Sequence, residues 1–241
     1  MFKKYATIYD YFNLDKNYDK EVNYLLKIIK RFKKKKVHKI LDIGCGTGNH
    51  ANLLAKKKFF VVGVDKSSDM INIARKKFKK ILFININKKL SLNFDICYSF
   101  FHVVSYLKNN YQLNKLFDYA SKKLDKNGLF IFDYWFKPGV LIDPPKEKIK
   151  YLNKHDKTYI RFTQFRHLKK LNIIKILFNF FILNKKEIKS FREIHEMKYY
   201  DIKQLNFYLK KNNFIILKNY SWLEFNLPKK NWYACIVAKK I

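Results

Sequence analysis

The stretch from Val37 to His50, VHKILDIGCGTGNH, reads as a buried strand that breaks into a glycine loop and then a helix, and it constrains everything around it. Val37, Ile40, Leu41 and Ile43 form the short apolar run of an interior parallel strand. Gly44, Gly46 and Gly48 follow at alternate positions, where glycine lets the backbone turn sharply and lets a ligand approach it closely. A dinucleotide fingerprint, G-x-G-x-x-G, would need its third glycine where Asn49 stands. The pattern here is G-x-G-x-G, so the loop is cut for a different ligand.

The next apolar run, Phe59 to Val64, ends at Asp65, about 20 residues beyond the first glycine, where an acid closes a second parallel strand. Its two oxygens match the two adjacent hydroxyls of an adenosine ribose. A helix follows from Ser67 to Phe78, with Ser67 or Ser68 as N-cap and Met70 in its first turn. Strands at 81–85 and 94–101 complete a set whose carboxyl ends all point one way, the side on which open α/β sheets bind ligands.

Together ILDIGCGTGNH, the strand ending GVD and the following SSDMINIAR resemble the cofactor half of class I S-adenosylmethionine-dependent methyltransferases. The resemblance implies an α/β fold with a Rossmann-like seven-stranded sheet, its last strand antiparallel, and S-adenosyl-L-methionine as cofactor. The candidate cofactor set is Asp42, Gly44, Cys45, Gly46, Gly48, Asp65, Lys66, Met70, Asn85 and Phe101. Many members carry an acid at the end of the third strand to accept the adenine amino group. This chain has Asn85 there, whose amide oxygen can accept the same bond, with Asn87 as the alternative position. Tyr9 and Tyr18 join the set, because an aromatic face shields a sulfonium.

Read with YDYFNLDKNYDKE at the front, the phrases FFHVVSYL, FIFDYWFKPGVL and FREIHEMKYYDIKQL resemble small-molecule methyltransferases of sugar-nucleotide pathways. One domain over 1–241 is expected, with a cap segment at 1–36 and an inserted antiparallel β-sheet at 138–200 that stands over the substrate site. Pro138 to Lys150 reads as an irregular exit, and Thr158 to Leu168, Leu171 to Leu183 and Glu187 to Tyr200 as the strands of the insertion. Tyr134 and Trp135 are candidate walls for the acceptor. Arg161 and Arg192 are candidates for holding a pyrophosphate, since a guanidinium fork grips phosphate oxygens in pairs. His102, just past the fourth strand, is the candidate general base, with His195 and Glu196 secondary. Some members of the group have a tyrosine near the position of Asn13.

The expected acceptor is an oxygen or nitrogen of a nucleotide-linked sugar, and a second copy of the chain is a candidate partner. Two other readings stay open: an RNA methyltransferase, and a non-catalytic S-adenosylmethionine-binding scaffold. The formal net charge of +33 favours the first. Against it, arginine stands only at Arg31, Arg75, Arg161, Arg166 and Arg192, while Lys, Asn, Ile, Phe and Tyr, all with A/T-rich codons, are abundant. Lysine runs at 33–36, 56–58 and 76–80 fall at helix ends, where cations suit the helix dipole. Nucleic acid is therefore an unlikely partner. Cys45, Cys97 and Cys235 lack metal-ligand spacing and read as reduced, buried thiols. Neither a membrane-spanning run nor a secretion signal is found, so a cytoplasmic protein is expected.

Overall fold

The computed structural model describes residues 5–154 and 156–241; the first four residues of the cap segment lie outside it. The chain starts with a 3-10 turn, Tyr5–Ile8, and a single helical turn α1 (Tyr9–Phe12), then α2 (Tyr18–Phe32). In α2 the apolar residues recur at helical spacing, and Val22, Leu25, Ile28 and Ile29 are buried against the sheet. Each such side chain contributes roughly 1.5–3 kcal/mol.

Strand and helix then alternate: β1 (Lys39–Ile43), α3 (Asn49–Lys56), β2 (Phe60–Asp65), α4 (Ser68–Lys77), β3 (Leu82–Asn85) and β4 (Phe94–Ser99). After a 3-10 turn, Val104–Tyr106, come α5 (Asn110–Lys123), β5 (Leu124–Trp135) and α6 (Lys137–Ile142). Four strands follow, β6 (Lys148–Lys154), β7 (Lys157–Leu168), β8 (Ile173–Leu183) and β9 (Ile188–Lys198), and then α7 (Ile202–Lys211), β10 (Phe214–Ser221) and β11 (Tyr233–Lys240).

The main sheet has seven strands in the order β10-β11-β5-β4-β1-β2-β3, with β11 antiparallel to both of its neighbours. This is the Rossmann-like class I arrangement expected. β1 lies between β2 and β4, so the strand order reverses there and opens a crevice at the carboxyl ends. Alternation along β5 separates the two layers of core: Phe130, Phe132 and Tyr134 pack with α5 and α7, Leu129 and Ile131 with α2 and α3.

β6 to β9 form a separate antiparallel sheet. Tyr159 and Phe180 on its inner face pack with Tyr5, Ile8 and Phe12 of the cap, and Ile174, Ile176 and Met197 pack with Trp135 and Val140. The insertion is thus anchored at the carboxyl end of β5. It has four strands where three were expected, because the stretch 138–150 is not irregular: it holds α6, begun by a proline in its first turn, and the start of β6. β5 also begins earlier than LFIFDYWF suggests, its pairing with β4 starting at Leu124 and shifting register around Asn127, whose φ is +63°.

Basic residues crowd the last turns of α2, α4, α5 and α7, as the dipole reading requires. All three cysteines are free and buried. Among the described residues no helix is long and apolar enough to cross a membrane, and no cluster of ligands could hold a metal.

Candidate active site

The glycine loop leaves β1 with all three glycines at positive φ: +80° at Gly44, +52° at Gly46 and +84° at Gly48. A Cβ at Gly44 would lie 2.4 Å from Val103, and one at Gly48 2.6 Å from Phe83, so these two are held tight by the protein itself. A Cβ at Gly46 would meet nothing within 4 Å, so this is where the loop faces open space. Gly46 N donates to Asp65 Oδ2 at 2.9 Å and Ser67 N to Oδ1 at 2.7 Å. The Lys66 amide also bonds this carboxylate, which still leaves it acceptor capacity. Burial raises the pKa of Asp65, with the amides of Ser67 and Gly46 opposing it.

Behind the loop lies a chain of buried ionisable groups. Asp42 is 2% exposed and pushed up to about 6 by burial, against the opposing effects of His50 and the Tyr98 hydroxyl. His50 Nε2 contacts Glu21 Oε2 at 2.6 Å, and Lys16 pairs with the other Glu21 oxygen. Burial alone would raise Glu21, but His50 and Lys16 outweigh it and hold its carboxyl below the usual range. The Lys16 ammonium in turn stands 4.0 Å over the Phe101 ring. Cys45 is buried, its thiol pushed far up by desolvation, so it is packing and not a nucleophile.

The cap closes over this loop. Asp10 accepts from Thr47 Oγ1 at 2.7 Å, from Asn49 Nδ2 at 3.2 Å and from Lys77 Nζ at 2.7 Å. Tyr9 meets the Phe101 ring edge-on at 6.3 Å, and Tyr18 meets His50 at 4.9 Å. Burial raises both hydroxyls, Tyr18 to about 12, so both stay protonated. Asn13 donates to the Tyr9 carbonyl and serves the turn.

On the other side of the crevice, just past β4, Phe101 and His102 both stand at φ +67°. His102 N donates to the fully buried Asp133, whose Oδ2 also lies 2.5 Å from His102 Nδ1. Tyr233 stacks on the imidazole at 4.3 Å. Trp135, two residues beyond Asp133 and on the same face of β5, has its ring 6.2 Å from His102. Its Nε1 is buried and has no acceptor among the described residues.

Tyr134 does not share that wall. Strand alternation turns it into the opposite layer, where it is fully buried and donates to Asn219 Oδ1 at 3.2 Å. The two arginines also separate. Arg161 is on the inner face of the insertion, bonded to the Tyr5 hydroxyl at 3.2 Å and packed over Phe12 and Phe178. Arg192 is exposed and bonds Asn179, its cross-strand partner on the outer face, so the pair cannot grip one pyrophosphate. Asn85 is engaged in its own turn: Nδ2 donates to Lys66 O and Ser68 Oγ, and Oδ1 accepts from Asn87 N. Lys66 is exposed and supplies that carbonyl and, to Asp65, its backbone amide; Met70 is a buried residue of the first turn of α4. His195 is buried between Tyr106 Oη at 2.9 Å and Glu193 Oε2 at 3.2 Å, while Glu196 is tied to Lys108.

A family model described as a methyltransferase domain matches residues 13–219, which takes in the glycine loop, Asp65, His102, Asp133 and the whole insertion. The chain belongs to the methyltransferase-domain family. The cofactor of this family is S-adenosylmethionine. Among curated relatives, the chain is 26% identical over 144 residues to a dTDP-3-amino-3,4,6-trideoxy-α-D-glucopyranose N,N-dimethyltransferase of Streptomyces venezuelae; the match covers 58% of this chain and 60% of that one. The chain therefore spans less than two thirds of that relative's length. Among solved structures it resembles a S-adenosylmethionine-dependent methyltransferase from Clostridium acetobutylicum, with a TM-score of 0.81, 23% identity and coverage of 99% and 98%. It also resembles the sugar N-methyltransferase KedS8 from Streptoalloteichus, with a TM-score of 0.83, 15% identity and coverage of 95% and 92%. At such identities these structures speak for the fold.

Three residues of the candidate site escaped the sequence reading. Asp133 had a visible signal, being the one acid inside the apolar run LFIFDYWF, where a buried charge needs a partner. Lys16 and Asp10 had none, because their partners Glu21, Thr47 and Asn49 lie on other elements.

Proposed function

We propose that the chain transfers a methyl group from S-adenosylmethionine to an oxygen or nitrogen of a small molecule, a nucleotide-linked sugar. The observation that supports the transfer most directly is the crevice itself, where the open face of Gly46 and the Asp65 carboxylate lie on one side and His102 with its aromatic neighbours on the other. The residues fit the cofactor. Asp65 has acceptor positions left for the ribose hydroxyls, Gly46 leaves space for the cofactor to pass, and Asp42 supplies negative charge behind the loop for the methionyl ammonium. Tyr9 offers an aromatic ring to the sulfonium, whereas the Phe101 ring already carries the Lys16 ammonium. When bound, S-adenosylmethionine supplies a methyl group on a positively charged sulfur, which an acceptor lone pair must approach in line.

The protein's own work is then alignment and proton removal. His102, just past β4, takes the proton of the acceptor. Trp135 Nε1 and Arg161 Nε are buried donors without acceptors among the described residues, and an oxygen-rich ligand such as a sugar would satisfy them. The sugar-modifying relative and the KedS8 structure favour the same acceptor class.

Calorimetry tests this reading: S-adenosylhomocysteine first, then a panel of nucleotide sugars and a random RNA, each at two salt concentrations. Cofactor binding with salt-tolerant binding of a nucleotide sugar, followed by transfer of a labelled methyl, supports it. RNA binding that falls steeply with salt would replace the acceptor by RNA. Cofactor binding without transfer to any acceptor would leave a scaffold.

A further inference from the structure

Both oxygens of Asp133 accept from a single backbone amide, that of His102, at 3.0 and 3.1 Å. Oδ2 also lies 2.5 Å from Nδ1 of the same residue, an ion-pair contact that lacks hydrogen-bond geometry, so Nδ1 has no hydrogen-bond partner among the described residues. One fully buried acid therefore holds the main chain and the ring of His102 at once. What it holds is a conformation that side-chain-bearing residues avoid, since Phe101 and His102 are consecutive residues at φ +67°. Strain of this kind persists only where the surroundings over-determine it. Here they do: Tyr233 is stacked on the other face of the imidazole, with 20° between the rings.

We propose that Asp133 is a positioning residue that fixes His102 as its Nδ1–H tautomer and so leaves the Nε2 lone pair for the acceptor's proton. The proposal rests on the reading of His102 as the base. A carboxylate oxygen 2.5 Å from a ring nitrogen favours a proton on that nitrogen even outside hydrogen-bond geometry, since a bare Nδ1 would set lone pair against lone pair. The second ring nitrogen of a neutral histidine is then the acceptor. As the acceptor's O–H or N–H bond breaks, an Nε2–H bond forms, and the proton later leaves to water. Asp133 keeps its contacts to the main chain and ring of His102 throughout. The geometry also explains why an acid would be kept in an apolar strand with no solvent access.

The first test needs only the protein without ligands. In uniformly 15N-labelled protein, long-range proton–nitrogen correlation at a pH where His102 is neutral reports its tautomer, with His102→Gln assigning the signal. Nδ1–H is expected in the native chain, and Nε2–H in Asp133→Asn, whose amide can donate to Nδ1. Nε2–H in the native chain, or an unchanged tautomer in Asp133→Asn, overturns the proposal. With an acceptor from the nucleotide-sugar panel, kcat of Asp133→Asn should fall roughly 100-fold while S-adenosylhomocysteine affinity is kept. A tautomer that switches while kcat does not supports the clamp and overturns the base reading. If Asp133→Asn fails to fold, the native tautomer alone still decides.

Discussion

Thr47 Oγ1 donates a 2.7 Å hydrogen bond to Asp10 Oδ1, joining the cap to the glycine loop across 37 positions of chain. Thr47 is buried, so its hydroxyl has little water to turn to when Asp10 is removed. Asn49 and Lys77 lean on the same carboxylate, which makes Asp10 a latch between α1, the loop and α4. Asp10→Ala should weaken S-adenosylhomocysteine binding about tenfold, mostly through faster release, with the melting temperature little changed. Stopped-flow dissociation checks this. An unchanged release rate would mean that the cap is no part of the pocket.

Gly46 and Gly44 should respond oppositely to an added methyl. A Cβ at Gly46 touches no protein atom, so Gly46→Ala should fold, at a cost of about 1 kcal/mol for its positive φ, yet lose measurable cofactor binding. Gly44→Ala drives a Cβ into Val103 and should lower the melting temperature instead. Thermal melts read beside calorimetry separate the two, and cofactor binding by Gly46→Ala at native affinity would sink the assignment of that open face.

Asp65 ties the loop through Gly46 N and is the proposed ribose ligand. Asp65→Ala loses both roles and should weaken binding by about 1.5–3 kcal/mol, since its bonds are charge-assisted. Asp65→Asn, which retains one oxygen for the loop, should fall between it and the native chain. Affinity equal to native in both variants would exclude the ribose contact.

Asp42 should make stability depend on pH in the direction opposite to a surface carboxylate. Burial lifts it from 3.8 to about 6, so the folded chain holds the proton more tightly than the unfolded one. Its contribution is complete below the unfolded value and is lost as pH rises through about 6, a difference on the order of 3 kcal/mol. Asp42→Asn, which does not titrate, should therefore melt higher than the native chain at neutral pH, with the gap closing toward acid. It should also bind the cofactor more weakly, for want of a charge facing the ammonium. A constant gap across the pH range would show that Asp42 is not the group responsible.

Most of the fold was legible because periodicity and glycine spacing are local. The run from Val37 to Asp65 carries its own strand, loop and strand-ending acid, and Asp201 caps α7 where the pattern starts. β6 was hidden because its apolar residues Ile149 and Tyr151 point to solvent, 69% and 73% exposed, so KIKYLNK lacks the signature of a half-buried strand. The arginine pairing misled for a different reason. Arg161 and Arg192 share a sheet, but which face each occupies depends on register across β7, β8 and β9, which no local pattern shows. Asp10 and Lys16 act through partners on other elements, and such pairs are invisible until the chain is folded.

Neighbours on β5 give the sharpest check of which face meets the acceptor. Tyr134 and Trp135 are adjacent in sequence, yet Tyr134 belongs to the layer of α5 and α7 and Trp135 to the side of Asp133 and His102. Tyr134→Phe removes only the bond to Asn219, and should cost about 1 kcal/mol of stability with no change in KM for the acceptor. Trp135→Phe keeps an aromatic ring but deletes the unpaired Nε1 donor. It should leave cofactor affinity intact, raise KM for an oxygen-bearing acceptor severalfold, and leave stability unchanged or slightly higher, since a buried donor without a partner is itself a cost. Should the two effects appear in the opposite order, with Tyr134→Phe altering KM and Trp135→Phe altering only the melt, the acceptor would have to approach from the other face of the sheet.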